Sequence, residues 1–343
     1  MRYFLLLFML SFYIPSRAQN RIHFYITVDW EGVDFQSNIL DSSDIEKVQQ
    51  FRKRYPSYPM VHFLNAAYFT NGSLSETEVA KRIRSVLAPN DELGLHIHPW
   101  ESLVDAAGVK FISGPTYFGD ESTPYMGTKN NKYPFGHRGG DIPLWRYSKE
   151  DINKLIKFSV KKLNAHGFNN LVSFRAGGWQ ADQRVLTAIR SQGFLIDSSP
   201  VHSDTVLNLY RGTPLAKFVS NLWGGISSDS QPYAHHIKNE GDIIMIPNNF
   251  GLADYVSSEE FQKLLDDILD KNKDTKDIHI VYGFHFETAA EYLDRLDEVI
   301  TRLEKTAEKR GFSVKPATFK KSWSTIRRQV RAFRGCRFFY GLK

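Results

Sequence analysis

The sequence predicts an α/β protein built on an irregular seven-stranded (β/α) barrel of the TIM type, with long loop insertions. The chain has 343 residues, and a barrel of this type often forms a single domain from about 250 residues. Its hydrophobic content of 42% is sufficient for a large core. Short β-rich segments alternate with helical segments, which is the order expected for a parallel sheet with helices packed around it.

The N-terminus predicts an export signal. Arg2 precedes an apolar run over residues 3–14, and Ser16 and Ala18 place small residues at the two positions that signal peptidase recognises. The run is shorter than the roughly 20 residues needed to cross a bilayer, so we expect cleavage rather than anchoring. We divide the chain into a signal peptide at 1–18, a barrel domain at 19–319 and a basic C-terminal tail at 320–343, and expect a secreted or periplasmic protein.

The first half of the barrel domain shows the β/α alternation most clearly. Apolar, β-rich runs predict strands, and segments with helical periodicity and polar capping residues predict helices. The predicted elements are strands at 22–29, 60–64 and 92–98 and helices at 43–54 and 75–87. Residues 102–147 are rich in Gly, Pro, Asn and Tyr, and we interpret them as a long insertion over the strand ends.

The second half continues the alternation with one further irregular stretch at 201–239. Strands are predicted at 171–175, 194–197, 242–247 and 278–284, and helices at 149–165, 183–192, 258–269 and 291–310. This brings the predicted total to roughly seven strands, the number in the expected barrel.

Charge and cysteine content restrict the function classes. Cys336 is the only cysteine, so an intrachain disulfide is impossible. The net charge of +6 is concentrated in the tail at 320–343, which has no acidic residue. Such a tail could contact an anionic membrane or polysaccharide, or could be a solvated helix. Export argues against nucleic acid as a partner, and we expect a monomer.

Pairs of ionisable residues two positions apart follow three predicted strands. Residues i and i+2 of a strand point to the same side, so each pair can place two side chains in one pocket. The pairs are Asp29 with Glu31, His96 with His98, and His285 with Glu287. The apolar residues between them are expected on the packing side; these are Trp30, Ile97 and Phe286.

The first two pairs indicate a metal site. Two imidazoles on one strand face are suitable ligands for Zn²⁺ or a similar ion. Two carboxylates as close as Asp29 and Glu31 seldom both stay ionised without a cation, so one could bind the metal while the other accepts a proton. The alternative interpretation is that His96 and His98 are structural and that the carboxylates are solvated.

Two further strand ends carry residues suited to catalysis. Arg175 can orient a carboxylate through two hydrogen bonds, Gly178 allows close backbone approach, and Trp179 could form a wall for a sugar ring. His285 suits a general acid because its unperturbed pKa lies near neutrality. Glu287 could tune that pKa or form an ion pair elsewhere.

Taken together, these segments resemble the polysaccharide deacetylase family, the NodB-like carbohydrate esterases, in a divergent form. The similar segments are TVDWEG at 27–32, ELGLHIHPW at 92–100, FRAGGW at 174–179, GFLIDSS at 193–199 and the late His285. The resemblance extends over residues 22–319. It implies an irregular seven-stranded barrel that removes acetyl groups from N- or O-acetylated sugars of a polysaccharide or cell-envelope glycan.

The resemblance also implies residue roles. Asp29 would be the catalytic base, oriented by Arg175, and His285 the general acid. A divalent metal, zinc with cobalt or nickel as alternatives, would be held by three residues, namely Glu31, His96 and His98. Substrate contacts would come from four others, namely Trp100, Gly178, Trp179 and Asp197. Trp30 and Trp100 stand where the family has metal ligands, so the choice of base and ligand between Asp29 and Glu31 stays open.

Two other functions fit the same residues. A glycoside hydrolase of similar architecture could use Asp29 with Glu31 or Glu287 as its two carboxylates. A carbohydrate-binding protein without catalysis would be consistent with Trp30 and Trp100 at the former ligand positions. In every case the expected partner is a carbohydrate polymer or oligosaccharide.

Overall fold

The computed structural model describes residues 20–32, 40–72, 74–118, 138–273 and 275–333. One sheet contains nine strands: β1 (Asn20–Asp29), β2 (Met60–Asn65), β3 (Glu92–Ile97), β4 (Ser173–Ala176), β5 (Ile196–Asp197), β6 (Tyr233–Ile237), β7 (Gly241–Met245), β8 (Asp277–His285) and β9 (Phe312–Pro316). The predicted signal peptide and Cys336 lie outside the described residues.

Ten α-helices in the described ranges surround this sheet. They are α1 (Ser42–Arg54), α2 (Glu76–Val86), α3 (Glu101–Ala106), α4 (Lys149–Ala165), α5 (Gln183–Ser191), α6 (Ser203–Tyr210), α7 (Pro214–Trp223), α8 (Ser258–Lys271), α9 (Ala289–Lys309) and α10 (Trp323–Phe333). None of them is long and apolar enough to span a bilayer.

The sheet curls into an incompletely closed barrel, which confirms the predicted fold class. The strand order is β6-β7-β5-β4-β3-β2-β1-β8, and every pairing is parallel except that of β6 with β7. The chain after β7 closes the wall, since the amide of Phe250 donates to the Val281 carbonyl (3.1 Å) and Leu252 forms a parallel bridge with Gly283. Seven strands therefore form the wall, and β6 and β9 lie outside it.

The sequence patterns missed both outer strands. β6 and the helices α6 and α7 fall in the stretch expected to be irregular at 201–239. β6 is half-exposed along most of its length, so its sequence, YAHHI, lacks the apolar alternation of a buried strand. β9 pairs only with the first half of β1, where β2 has not yet begun.

The side chains of the wall separate into two apolar clusters. In β1, Phe24, Ile26 and Val28 point outward into the main core between sheet and helices, whereas Tyr25 points into the barrel. The inner cluster contains wall residues and residues of the C-terminal segment, namely Tyr25, Val61, Phe63, Ile196, Ile244, Ile246, Val281, Ala317, Phe319, Ile326 and Val330.

Helix α10 closes the barrel at the N-terminal ends of the strands. Ile326 and Val330 are buried against the inner cluster, and the backbone amide of Lys320 donates to the carboxylate of Glu92 at the start of β3 (2.7 Å). The described part of the basic tail thus packs on the barrel. The candidate functional site lies at the opposite mouth, at the C-terminal ends of the strands.

Candidate active site

Glu31, His96 and His98 converge at the C-terminal ends of β1 and β3. Their ligating atoms all lie within 4.8 Å of one another, and all three residues are buried. His96 Nε2 is 3.3 Å from Glu31 Oε1, and His98 Nε2 is 2.8 Å from Glu31 Oε2. Among the described residues, this trio has the ligand types and spacing that a divalent metal requires.

Backbone carbonyls determine which nitrogen of each imidazole faces Glu31. His96 Nδ1 contacts the carbonyl of Arg175 (2.8 Å), and His98 Nδ1 contacts the carbonyl of Gly140 (2.5 Å). A carbonyl only accepts, so each Nδ1 carries the hydrogen and each neutral Nε2 presents a lone pair to the carboxylate. Opposed lone pairs repel unless a cation or a proton lies between them, and the donor set therefore fits a divalent ion.

Electrostatics of the trio agree with this preference for positive charge. Burial by itself would raise the pKa of Glu31, but His98 and His285 outweigh it and hold that pKa well below its usual value. Burial would lower the pKa of His98, whereas the Glu31 carboxylate raises it above its ordinary value. The Glu31 carboxylate is therefore ionised and can pair with a cation that the two imidazoles also bind.

The backbone of Glu31 is held by three side chains. Its amide donates to the carboxylate of Glu287 (3.1 Å), and its carbonyl accepts from Asn65 Nδ2 (2.9 Å) and Trp100 Nε1 (2.6 Å). Trp100 is only 3% exposed, and its indole nitrogen holds the Glu31 backbone; its contact with substrate stays a prediction. The next residue, Gly32, has a φ of +92°, which glycine adopts without strain.

The residues between the ionisable pairs pack outward as predicted. Trp30 is fully buried and stacks on Phe286, with ring centroids 4.0 Å apart at an interplanar angle of 3°. Its indole nitrogen donates to His62 Nδ1 (3.1 Å). Ile97 is also buried in the outer core. Trp30 therefore faces the packing side of the strand, and Glu31 lies beside the histidines.

Asp29 is bound by a fully buried arginine. Arg175 Nη1 donates to Asp29 Oδ1 (2.7 Å) and to Thr27 Oγ1 (3.0 Å). Its other nitrogens donate to the carbonyl and hydroxyl of Ser198 (both 3.0 Å), and its guanidinium lies 4.5 Å from the centroid of the Phe63 ring. These contacts fix one orientation of the guanidinium, and with it the orientation of the Asp29 carboxylate.

His285 is paired with a carboxylate that the sequence patterns did not reveal. His285 Nδ1 lies 3.1 Å from Asp254 Oδ1, and His285 Nε2 lies 3.5 Å from Glu31 Oε1. Asp254 also accepts from the His285 amide (3.2 Å) and from the Thr288 hydroxyl. Burial would lower the pKa of His285, but Asp254 and then Glu31 raise it to about 10.

The glycine segment after β4 lies against the site. A Cβ added to Gly177 would meet the His98 ring at 2.6 Å, and one added to Gly178 would meet the Tyr117 ring at 2.7 Å. Tyr117 donates its hydroxyl to the Gly177 carbonyl (2.8 Å). Trp179 is buried and contacts Tyr255 edge-on, with centroids 5.8 Å apart. Gly178 and Trp179 therefore lie beside the site, and their contact with substrate stays a prediction.

Asp197 lies apart from this group. Its carboxylate accepts from the hydroxyl (2.7 Å) and amide (3.2 Å) of Ser199, and it is fully buried. Burial raises the pKa of Asp197 to about 7. The Ser199 hydroxyl in turn accepts from the amide of Ala176 at the end of β4 (3.0 Å). Asp197 thus supports the loop that carries the glycines, and its predicted contact with substrate stays a prediction.

Sequence reasoning missed four residues that shape the site: Asn65, Tyr117, Asp254 and Tyr255. Asp254 lies in the loop after β7. The only sequence signal for its role is a carboxylate that follows a predicted strand. The two tyrosines lie in irregular stretches where no periodicity operates. Asn65 ends β2, the one early strand at which no ionisable pair occurs.

The fold and these contacts define an α/β-barrel protein with a candidate metal-binding and proton-transferring site at the C-terminal ends of its strands. Two imidazoles and a carboxylate form the ligand group. Asp29, held by Arg175, ends β1 two residues before Glu31 and is the register partner of His285, whose side chain contacts Asp254 and Glu31.

Comparison with solved structures finds the same fold. The chain is similar to a protein from Mycobacterium smegmatis described as a polysaccharide deacetylase (TM-score 0.53, 11% identity, covering 92% of each chain). It is also similar to the allantoinase PuuE (0.50, 11%, 95% of this chain and 93% of that one) and to a protein from Pseudomonas aeruginosa PAO1 described as a polysaccharide deacetylase (0.50, 14%, 93% of each). No protein-family model and no curated protein matches the chain.

Proposed function

We propose that this protein is a metal-dependent carbohydrate deacetylase that hydrolyses N-acetyl or O-acetyl groups of a polysaccharide or cell-envelope glycan. The observation that carries the proposal is the pair of tautomer-fixed histidines facing Glu31, which His285 also contacts. Asp29, bound to Arg175, precedes Glu31 by two residues. The similarity to two proteins described as polysaccharide deacetylases supports the choice of substrate.

The residues divide into a binding group and a proton-transfer group. Glu31, His96 and His98 would hold a divalent ion, with zinc the best match to two imidazoles and a carboxylate. When bound, such an ion polarises an acyl carbonyl and lowers the pKa of water.

Asp29 is the base in this proposal, because Arg175 binds its carboxylate and fixes its orientation. It accepts a proton from the attacking water, while His285 donates a proton to the leaving amine or alkoxide. Asp254 keeps His285 protonated for that step. The products are acetate and the deacetylated sugar.

The contacts of the carboxylates favour this function over a glycoside hydrolase. Asp29 is committed to Arg175 and Glu31 to two imidazoles, whereas a glycosidase needs one of its two carboxyl groups protonated as the acid. Glu287 is buried and accepts from the Glu31 amide. Measurements of bound metal and of acetate release distinguish this enzyme from a carbohydrate-binding protein without catalysis.

Acetate release from a panel of N- and O-acetylated glycans, with and without chelator, tests the proposal. We expect His96→Ala to lose both stoichiometric metal and acetate release, because it removes one of three ligands. The matched control is His236→Ala, an exposed histidine on β6. Metal analysis of the purified proteins accompanies the assay. Full activity of His96→Ala, or of wild type after chelation, would contradict the proposal.

Export and surface contact belong to the same proposal. We propose cleavage after Ala18, to be checked by N-terminal sequencing of the mature protein. The outward face of α10 carries exposed Arg327, Arg328 and Arg331, while its apolar face is buried. Contact of this basic face with an anionic surface would turn the catalytic mouth away from that surface, because the two lie at opposite ends of the barrel.

A further inference from the structure

A row of aromatic rings leads outward from His285. Tyr255 contacts His285 edge-on with centroids 5.7 Å apart, Tyr210 contacts Tyr255 edge-on at 5.8 Å, and Phe118 contacts Tyr210 at 5.8 Å and 40°. Tyr117 adds an edge-on contact to Phe118 at 6.2 Å. These rings form a continuous wall from the proton donor to the rim of the site.

The wall is assembled from three separate loops at the catalytic mouth. Tyr117 and Phe118 lie in the segment after β3, Tyr210 ends α6 after β5, and Tyr255 lies in the loop after β7. Each segment follows the C-terminal end of a wall strand. Burial raises the pKa of Tyr117, Tyr210 and Tyr255, and the Glu31 carboxylate adds to each shift, which agrees with their position beside the site.

Exposure increases along the wall. Tyr210 and Tyr255 are half-buried, whereas Phe118 is 55% exposed. Only Leu195 is another exposed large hydrophobic side chain in the part of the chain that the structure describes, and it lies against the α10 end of the barrel. Phe118 therefore differs from a core residue, because it is exposed and its ring continues the row that begins at His285.

The chemistry of the wall suits a sugar ring. Aromatic faces carry negative electrostatic potential, which attracts the C–H groups on the apolar face of a pyranose. The hydroxyls of Tyr210 and Tyr255 lie 3.4 Å apart and can exchange hydrogen bonds with sugar hydroxyls. Three ring contacts link His285 to Phe118, so a sugar on Phe118 would belong to the same glycan as the sugar being deacetylated but to a different residue of it.

We propose that Phe118 and Tyr210 form a binding subsite for a second pyranose ring, so that the protein acts on oligosaccharide or polymer rather than on single acetylated sugars. This inference rests on the proposed deacetylase function for its kinetic test. It rests on the aromatic wall alone for its binding test.

The kinetic test compares Phe118→Ala with Leu195→Ala, the matched exposed hydrophobic at the other end of the barrel. The probes are the tetramer and the monomer of N-acetylglucosamine and an acetylated xylotetraose. For whichever tetramer the wild type deacetylates, we expect Phe118→Ala to raise KM about two- to tenfold, the range for loss of one ring contact. The value of kcat and the monomer reaction should not change, and Phe118→Tyr should restore the KM of wild type.

Calorimetric binding of the same oligosaccharides completes the test. If wild type releases acetate but Phe118→Ala leaves KM for every tetramer unchanged, the subsite is wrong and the deacetylase function stands. If wild type releases no acetate, the deacetylase function fails, and weaker tetramer binding by Phe118→Ala than by Leu195→Ala still supports the subsite. Equal binding by the two variants, or no binding of any tetramer by wild type, would overturn it.

Discussion

Single residues of the site depend on neighbours that orient them. The carbonyls of Arg175 and Gly140 fix the tautomers of His96 and His98, and three side chains hold the peptide groups of Glu31. Trp100 is an example, since it donates to the backbone carbonyl of the candidate ligand Glu31 and not to its carboxylate. Positioning of this kind fixes ligand geometry before any ion binds.

Asp254→Asn tests the pairing of His285 at this scale. Loss of the carboxylate removes the first cause of the raised His285 pKa, so that pKa should fall. A general acid must be protonated, so activity should be lost at lower pH on the alkaline side of the profile. The measurement is kcat against pH for wild type and variant with the metal content determined in parallel. An alkaline limb at the same pH in both proteins would remove Asp254 from this role.

Among the elements, the amphipathic helix α10 fills the end of the barrel at which the strands begin. Its Ile326 and Val330 fill the N-terminal mouth beside Tyr25 and Phe319, and its basic residues remain in water. Several wall strands are short, and β5 contributes only two residues to the ladder. The helix therefore supplies inner core that the strands by themselves do not provide.

Ile326→Ala should destabilise the fold by about 2–5 kcal/mol, the range for truncation of a fully buried aliphatic side chain. Ser324→Ala, on the exposed side of the same helix, is the control and should change stability little. The free energy of unfolding by guanidinium at neutral pH measures both. A loss below about 0.5 kcal/mol for Ile326→Ala would show that α10 does not seal the barrel.

Across the whole molecule, polar groups line the barrel between its two mouths. Below the site, His279 is stacked between His23 (4.8 Å) and Tyr25 (5.8 Å). Its Nδ1 accepts from the Tyr25 hydroxyl (2.7 Å), and its Nε2 donates to Gln329 Oε1 of α10 (2.8 Å). The neutral ring has both nitrogens satisfied, and burial lowers the pKa of His279 to about 3.

This histidine predicts acid sensitivity of the fold. Below about pH 6.5 the unfolded chain takes up a proton that folded His279 refuses, so its stabilisation is present above that pH and is lost as the pH falls toward 3. The contribution should amount to about 1.4 kcal/mol per pH unit. Unfolding free energies at several pH values should show a shallower slope for His279→Gln than for wild type. The exposed His236→Gln should retain the wild-type slope, and equal slopes in all three proteins would contradict the assignment.

The sequence by itself determined the local features of this protein. Periodicity placed most of the wall strands and the helices between them. The i, i+2 spacing put Glu31, His96 and His98 on one side at the C-terminal ends of β1 and β3. Both follow from backbone geometry that operates over a few residues. The outward packing of Trp30 and Ile97 was predictable for the same reason.

Tertiary structure decided the rest, because those contacts join residues that are distant in sequence. The pairing of His285 with Asp254 and the row of rings from Tyr255 to Phe118 bring together segments that carry no periodic signal. The contact of Arg175 with Asp29 was expected only from the family resemblance. Strands such as β9 form only because an existing edge is available to them. Local patterns report which face a side chain takes, whereas the closure of the barrel determines which side chains meet.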